Sequence, residues 1–417
     1  MKRVVEDIAE ATGKRLDVVV VTHEHWDHVS AFLTSDDAFK EFKIGEVWMG
    51  WTENPDEEAV KELDKFKGLA SEVSKKATLA LSPKAKGVSE AVRNGLVALS
   101  GFYFGLKGER VRSARDAAKA LVKDGPKYLD PSTRPFSLPG VDSVRIYVLG
   151  PPRDRDLLKL TTRKSEMYHF GLSGALGLAN GIASAPGPTN LDDIIDMYAP
   201  FDIEEGHRFD EALQDGSSAS KAVAEILSKH YSDSEEAWRR IDDDWLYAAA
   251  DLALQYDSRT NNTSLVLAFE FVKSGRVALF AADAQVGNWL SWQGLEWDVD
   301  GQTVTGPDLL HRSVYYKVGH HGSENATISA KGLELMVSPD LSAFTPTNSE
   351  DALHVGWGRM PFDQILERLL EKTSGRVIRS DDSWVGEADD KAHRALTSGS
   401  IVSLSHHPGL WVEVGVA

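Results

Sequence analysis

Leu16-Asp17-Val18-Val19-Val20-Val21-Thr22-His23-Glu24-His25-Trp26-Asp27-His28 is the stretch that decides how this chain is read. Its first six residues form a short, β-branched, mostly apolar run of the kind that makes a buried strand. The strand delivers His23 onto the loop at its end. Four potential metal ligands, His23, His25, Asp27 and His28, then follow within six residues. Packing gives no reason for that density of imidazoles. The chain has no cysteine, so disulfides and thiolate ligands are excluded and any metal is held by His, Asp or Glu. Side chains of an extended segment alternate with period two, which points His23 and His25 the same way. Asp27 and His28 are expected on the turn that follows, within reach of a second ion.

The run resembles the H-x-H-x-D-H signature of the metallo-β-lactamase superfamily, which also follows a β-branched strand. The resemblance implies an α/β fold, a four-layer αβ/βα sandwich with its site at one edge of two sheets. It further implies His23 and His25 on a first metal, and Asp27 and His28 on a second. Asp283, in Phe280-Ala281-Ala282-Asp283-Ala284, stands where the family places an aspartate that bridges the two ions. Gly319-His320-His321-Gly322-Ser323 matches the run HHGS of the competence-type (ComEC-like) branch, whose soluble domain resembles a phosphodiesterase or nuclease. One of its histidines is expected to be a ligand and its neighbour to meet the substrate. The sequence does not order them; the working assignment is His321 on metal and His320 in catalysis. Leu149-Gly150-Pro151-Pro152 and Asn261-Asn262-Thr263-Ser264-Leu265-Val266-Leu267 also resemble that branch. Together these segments frame residues 14–380.

Three departures from the family pattern stand out. Asn261 and Asn262 occupy the place of a third histidine for the first metal. Either that site is depleted, or His169, His207 or His230 fills it. Met360, in Gly358-Arg359-Met360-Pro361, stands where the branch often has a histidine. The family's N-terminal hairpin is apparently missing, because the chain starts almost at the first helix.

Apolar spacing predicts helices over 3–12, 56–80, 108–123 and 361–372. Strands are expected at 16–21, 44–49, 144–149, 264–271, 277–281, 314–318 and from 343, with short ones at 376–379, 400–404 and 410–416. The pair 264–271 and 277–281 reads as a hairpin turning at Ser274-Gly275. Residues 1–417 are read as one domain, with 153–258 as a largely helical insertion. The basic run Lys107, Arg110, Arg112, Arg115, Lys119, Lys123 and Lys127 reads as a solvated face. Trp26, Trp48 and Trp51 are assigned to the core, and His406-His407-Pro408-Gly409 to a turn between late strands.

A net charge of −18 argues against a grip on long nucleic acid, which needs many cations on phosphates. No apolar run approaches the roughly 20 residues of a spanning helix, and the N-terminus does not resemble a signal peptide. A cytoplasmic location fits both absences. No Walker or G-x-G-x-x-G loop is present. The expected function is a metal-dependent hydrolase using a metal-activated water on a phosphoester, as a phosphodiesterase or small nuclease with a small or single-stranded substrate. The cofactor is zinc, one or two ions, with manganese as the other candidate. Asp27 orients the water and His320 or His321 serves as general acid, His320 in the working assignment. Two alternatives remain open: hydrolysis of a carboxyl derivative (lactone, thioester or β-lactam), and a degenerate scaffold that binds a protein partner through the insertion.

Overall fold

The computed structural model describes residues 1–64, 108–161, 163, 221, 226, 259–354, 359–386 and 395–417. The chain divides into two compact units, one of Met1–Lys61, Lys107–Gly171 and Asp257–Ala417, the other of Glu62–Leu106 and Leu172–Tyr256. The elements below all belong to the first unit. Most of the expected insertion, residues 65–80 of the second expected helix, and His169, His207 and His230 lie outside the described residues.

The fold is mixed α/β. Strands β1 (Arg15–Val21), β2 (Lys43–Gly50) and β3 (Lys127–Leu129) form a parallel sheet in that order. Parallel neighbours need a crossover, and helix α2 (Trp26–Thr34) supplies it between β1 and β2. Their register pairs Leu16 with Ile44 and Val21 with Met49, so both strands end at the same level. β1 is an edge strand of this sheet and only its last residue, Val21, is buried, so it is not the buried strand that its β-branched run predicts.

The second sheet has seven strands. These are β4 (Phe136–Leu138), β5 (Val141–Gly150), β6 (Val266–Phe271), β7 (Arg276–Phe280), β10 (Ser313–Lys317), β11 (Ser342–Thr345) and β12 (Val377–Arg379). Their spatial order is β12-β11-β10-β7-β6-β5-β4. The expected hairpin is β6 and β7, paired antiparallel. Its turn uses Gly275 at φ 69°, a left-handed conformation that glycine adopts without a Cβ clash. Strands β7, β10, β11 and β12 are mutually parallel, so their C-terminal ends, with the loops that follow, point the same way. Two small hairpins complete the strands: β8 (Glu296–Val299) with β9 (Gln302–Thr305), and β13 (Ile401–His407) with β14 (Trp411–Val416). The His406-His407 pair closes β13 just before the turn, as its Pro-Gly neighbours predict.

Three apolar clusters hold these elements. Helices α1 (Lys2–Thr12), α2 and α3 (Gly108–Lys119) bury Val5, Val29, Phe32, Val111, Ala114 and Ala118 against Val21, Val47 and Met49 of the parallel sheet. Trp48 and Leu129 of that sheet pack against Ile146, Val148, Leu265 and Leu267 of the large one. On the large sheet's other face, Tyr147, Leu279, Tyr316 and Ala343 meet Trp289, Trp292, Leu309, Ile365 and Leu369. Each large apolar side chain fully removed from water contributes about 1.5–3 kcal/mol.

Two further expectations are corrected. Asp27 and His28 do not lie on a turn; they occupy the first turn of α2, where its N-terminal amides favour a carboxylate. The basic run is not a uniformly solvated face. Arg112 and Lys123 are exposed, but Arg115 and Lys119 turn inward to the carboxylate of Glu24 and the carbonyl of Glu53. With Val111, Ala114 and Ala118 buried at helical spacing, α3 lies flat on α2, and residues flanking that stripe cannot avoid the protein. Trp48 and Trp51 are core residues as expected, and Trp26 is half-buried beside the helical cluster.

Candidate metal centre

Three loops meet at the strand ends. The first, after β1, carries His23 and His25 and passes directly into α2. The hydroxyl of Thr22 lies 3.2 Å from Nδ1 of both His23 and His28. Those contacts turn the Nε2 atoms of both rings inward: His23 Nε2 is 3.7 Å and His28 Nε2 3.2 Å from Oδ2 of Asp283. His25 presents Nδ1 instead, 3.1 Å from His23 Nε2.

The second loop follows β7 and carries Asp283. Its backbone N–H donates to Ser264 Oγ at 3.1 Å, and the same hydroxyl lies 3.3 Å from His23 Nδ1. Ala282, just before it, is left-handed at φ 49°. The third loop follows β10, where His320 and His321 are left-handed at φ 42° and 54°. For a residue with a Cβ this conformation costs about 1–2 kcal/mol, and such strain concentrates at functional sites. Gly319 lets the third loop rest on the second: a Cβ there would lie 2.5 Å from the carbonyl oxygen of Ala282.

His321 Nδ1 is 2.7 Å from the carbonyl oxygen of Pro346, which only accepts. Nδ1 therefore carries a proton, and Nε2 lies 3.4 Å from Asp27 Oδ2, to which it donates when the ring is doubly protonated. His320 is arranged differently. Its backbone N–H donates to Asp283 Oδ1 at 3.1 Å. Ser323 Oγ donates to Asn325 and lies 2.7 Å from His320 Nδ1, so it accepts from that nitrogen. His320 Nε2 is then left to accept from Asn261 Nδ2 at 3.4 Å.

Two groups of donors result. His23, His25 and Asp283 are buried together, and Asp27, His28 and Asp283 form the second group; within each, the donor atoms lie within 4.8 Å of one another. Asp283 belongs to both. Imidazole nitrogen with carboxylate oxygen is the donor set of a borderline divalent cation such as zinc, so the residues present fit the expected metal. Asp27 is the exposed member, which puts the solvent side of the centre there.

The electrostatics follow from burial and mutual proximity. Burial holds His23 well below its ordinary value, helped by His28 and His25, and brings His25 down to about 4. Both rings are neutral at pH 7, as ligands must be. Burial also opposes a charge on His28, but Asp283 and Asp27 beside it outweigh that and raise it to about 9. Burial likewise works against ionised Asp27 and Asp283, yet His28 beside each lowers both, with the His321 hydrogen bond adding to the effect on Asp27. His320 is lowered by burial and His321 is raised, its burial overcome by the hydrogen bond to Asp27.

The structure thus brings together His23, His25, Asp27, His28, Asp283, His320 and His321. Several contributors were not singled out by sequence. Thr22 and Ser264 orient the His23 and His28 rings and Ser323 orients His320, yet isolated hydroxyl residues carry no signal in a single sequence. Asn261 and Asn262 separate sharply. Asn262 donates to the carbonyls of Leu157, Leu158 and Leu160 and accepts from the backbone of Gln285 and Asn288. It is a structural hub rather than a ligand, while Asn261 alone reaches the centre. Comparison of the chain with protein-family models, with curated proteins and with solved structures gives no match. Among the described residues, no helix is long and apolar enough to cross a membrane.

Proposed function

We propose that this chain is a metal-dependent hydrolase of the metallo-β-lactamase superfamily, acting on a phosphoester. The observation that carries the reading is Asp283 shared by two His-containing donor groups, the arrangement of a two-cation site. The layering supports it: helices α1 to α3, the parallel sheet, the large sheet and the helices beyond it follow one another through three clusters, as a four-layer αβ/βα sandwich requires.

His23, His25 and Asp283 would hold one ion, and Asp27, His28, Asp283 and His321 the other. Divalent cations in such a site acidify water and stabilise charge on a phosphoryl oxygen. The chain's own residues do the rest. Asp27, kept ionised by His28, faces solvent and orients a water by accepting its hydrogen bond. The Pro346 carbonyl accepts from His321 Nδ1, which leaves Nε2, beside Asp27, for the second ion. His320 holds an unprotonated Nε2 in the resting site, so it acts as general acid only after taking up the proton that the water releases. Ser323 fixes its ring for that task, and the Asn261 amide leaves Nε2 as the proton arrives. The phosphoester preference rests on the likeness of Gly319–Ser323 to the competence-type branch, and the charge of −18 favours a small or single-stranded substrate.

A panel of an activated phosphodiester, a phosphomonoester, a lactone and a thioester tests this on zinc- and manganese-loaded protein. Phosphodiester turnover that falls roughly 10²–10⁴-fold in Asp27→Asn is the expected result. Turnover of the lactone or thioester alone moves the substrate to a carboxyl derivative. No turnover of any of them, with ions bound, leaves a scaffold.

A further inference from the structure

Glu24 stands between two ligands, His23 and His25, yet serves neither cation group. It is buried, and its carboxylate meets a guanidinium that comes from a helix 91 residues away. Arg115 Nη1 of α3 donates to Glu24 Oε2 at 2.9 Å. The same nitrogen lies 3.5 Å from Glu53 Oε2, and Arg115 Nε lies 3.1 Å from Asp116 Oδ1. Lys119, one turn further along α3, donates to the Glu53 carbonyl at 2.8 Å. Glu53 closes the single helical turn Trp51–Glu53 that follows β2. One arginine therefore ties together the ligand loop after β1, the turn after β2, and α3.

Stability alone does not account for this cluster. Each ion taken out of water costs several kcal/mol, and a buried pair recovers that only with good geometry, so apolar replacements are often as stable. What the cluster does supply is a fixed side chain at the middle of His23-Glu24-His25. The backbone bends at Glu24, where the His25 N–H donates to the His23 carbonyl at 3.1 Å, so fixing its carboxylate fixes the peptide planes from which both rings project. Ligands must be held within about 0.5 Å of productive geometry.

We propose that Arg115 and Glu24 form a positioning clamp that sets the geometry of the His23–His25 cation group. This rests on the reading that the group binds a cation. Glu24→Gln is the clean variant, because Arg115 keeps Glu53 and Asp116 and no buried charge loses its partner. Zinc affinity is read by competition with a chromophoric chelator, cobalt(II) absorption reports ligand geometry, and thermal unfolding of the metal-free protein reports stability.

The expected result is a 10–100-fold weaker affinity for one ion of the two and an altered cobalt spectrum, with metal-free unfolding unchanged. Arg115→Lys keeps the charge but not the fork, so its affinity should fall between wild type and Glu24→Gln. Wild-type affinity and spectrum in Glu24→Gln overturn the clamp. So does an affinity loss matched by an equal loss of metal-free stability, which makes the cluster merely structural. Wild-type protein that takes up no ion overturns the metal reading itself, and the clamp with it.

Discussion

The loop after β1 and the loop after β10 both deliver histidines to one carboxylate, and they are held in opposite ways. The first is held by side chains. Thr22 turns His23 and His28, Ser264 supports His23, and Arg115 grips Glu24. The second is held by backbone: two consecutive left-handed histidines, a glycine seated on the Ala282 carbonyl, and the Pro346 carbonyl on His321. A scaffold of side chains fails gradually, one contact at a time. A scaffold of backbone has no such slack, because a strained turn persists only while its surroundings over-determine it.

The largest effect expected from this contrast is at Gly319. Gly319→Ala puts a Cβ 2.5 Å from a backbone oxygen, and backbone has little room to yield. Overpacking of this kind costs about 1–3 kcal/mol, visible as a lowered unfolding temperature, and it separates the second loop from the third. Loss of the ion on His321 should accompany it. A variant with wild-type stability and metal content would break the contrast.

A smaller effect sharpens it from the electrostatic side. Burial brings His25 down to about 4, so above pH 5 its group would take up a cation without displacing a proton from it. His28 is raised to about 9 by Asp283 and Asp27 against its burial. In the metal-free protein, that protonated pair contributes stability fully below the unfolded value of about 6.5, and loses it as pH rises through about 9. A cation must displace this proton, so affinity at the His28 group should strengthen by up to tenfold per pH unit between about 7 and 9, with proton release. Calorimetric titrations in buffers of different ionisation enthalpy count the protons. Equal pH dependence of both sites contradicts the assignment.

Much of the scaffold was legible because long, regular patterns carry it. The β-branched run before His23, the hairpin around Ser274-Gly275 and the helical spacing in 361–372 each appear where periodicity places them. Strands β3 and β4, of three residues each, are too short for any period to show. Within the site, the density of His and Asp in residues 23–28 was plain, whereas Asn261 and Asn262 were indistinguishable by type. Only the fold shows that Asn262 is occupied by three carbonyls of residues 157–160 while Asn261 meets His320. Arg115 was read with its neighbours as part of a charge run. Nothing local in a sequence marks which cation of a helix will find a buried carboxylate 91 positions away.

The central claim is that Asp283 serves two cations at once, and metal content per chain tests it most directly. Elemental analysis after reconstitution with zinc or manganese should give close to two ions for the wild type. His25→Ala should lose the first and His321→Ala the second, whereas Asp283→Ala should lose both. Two ions retained in Asp283→Ala, or none in the wild type, would contradict the account.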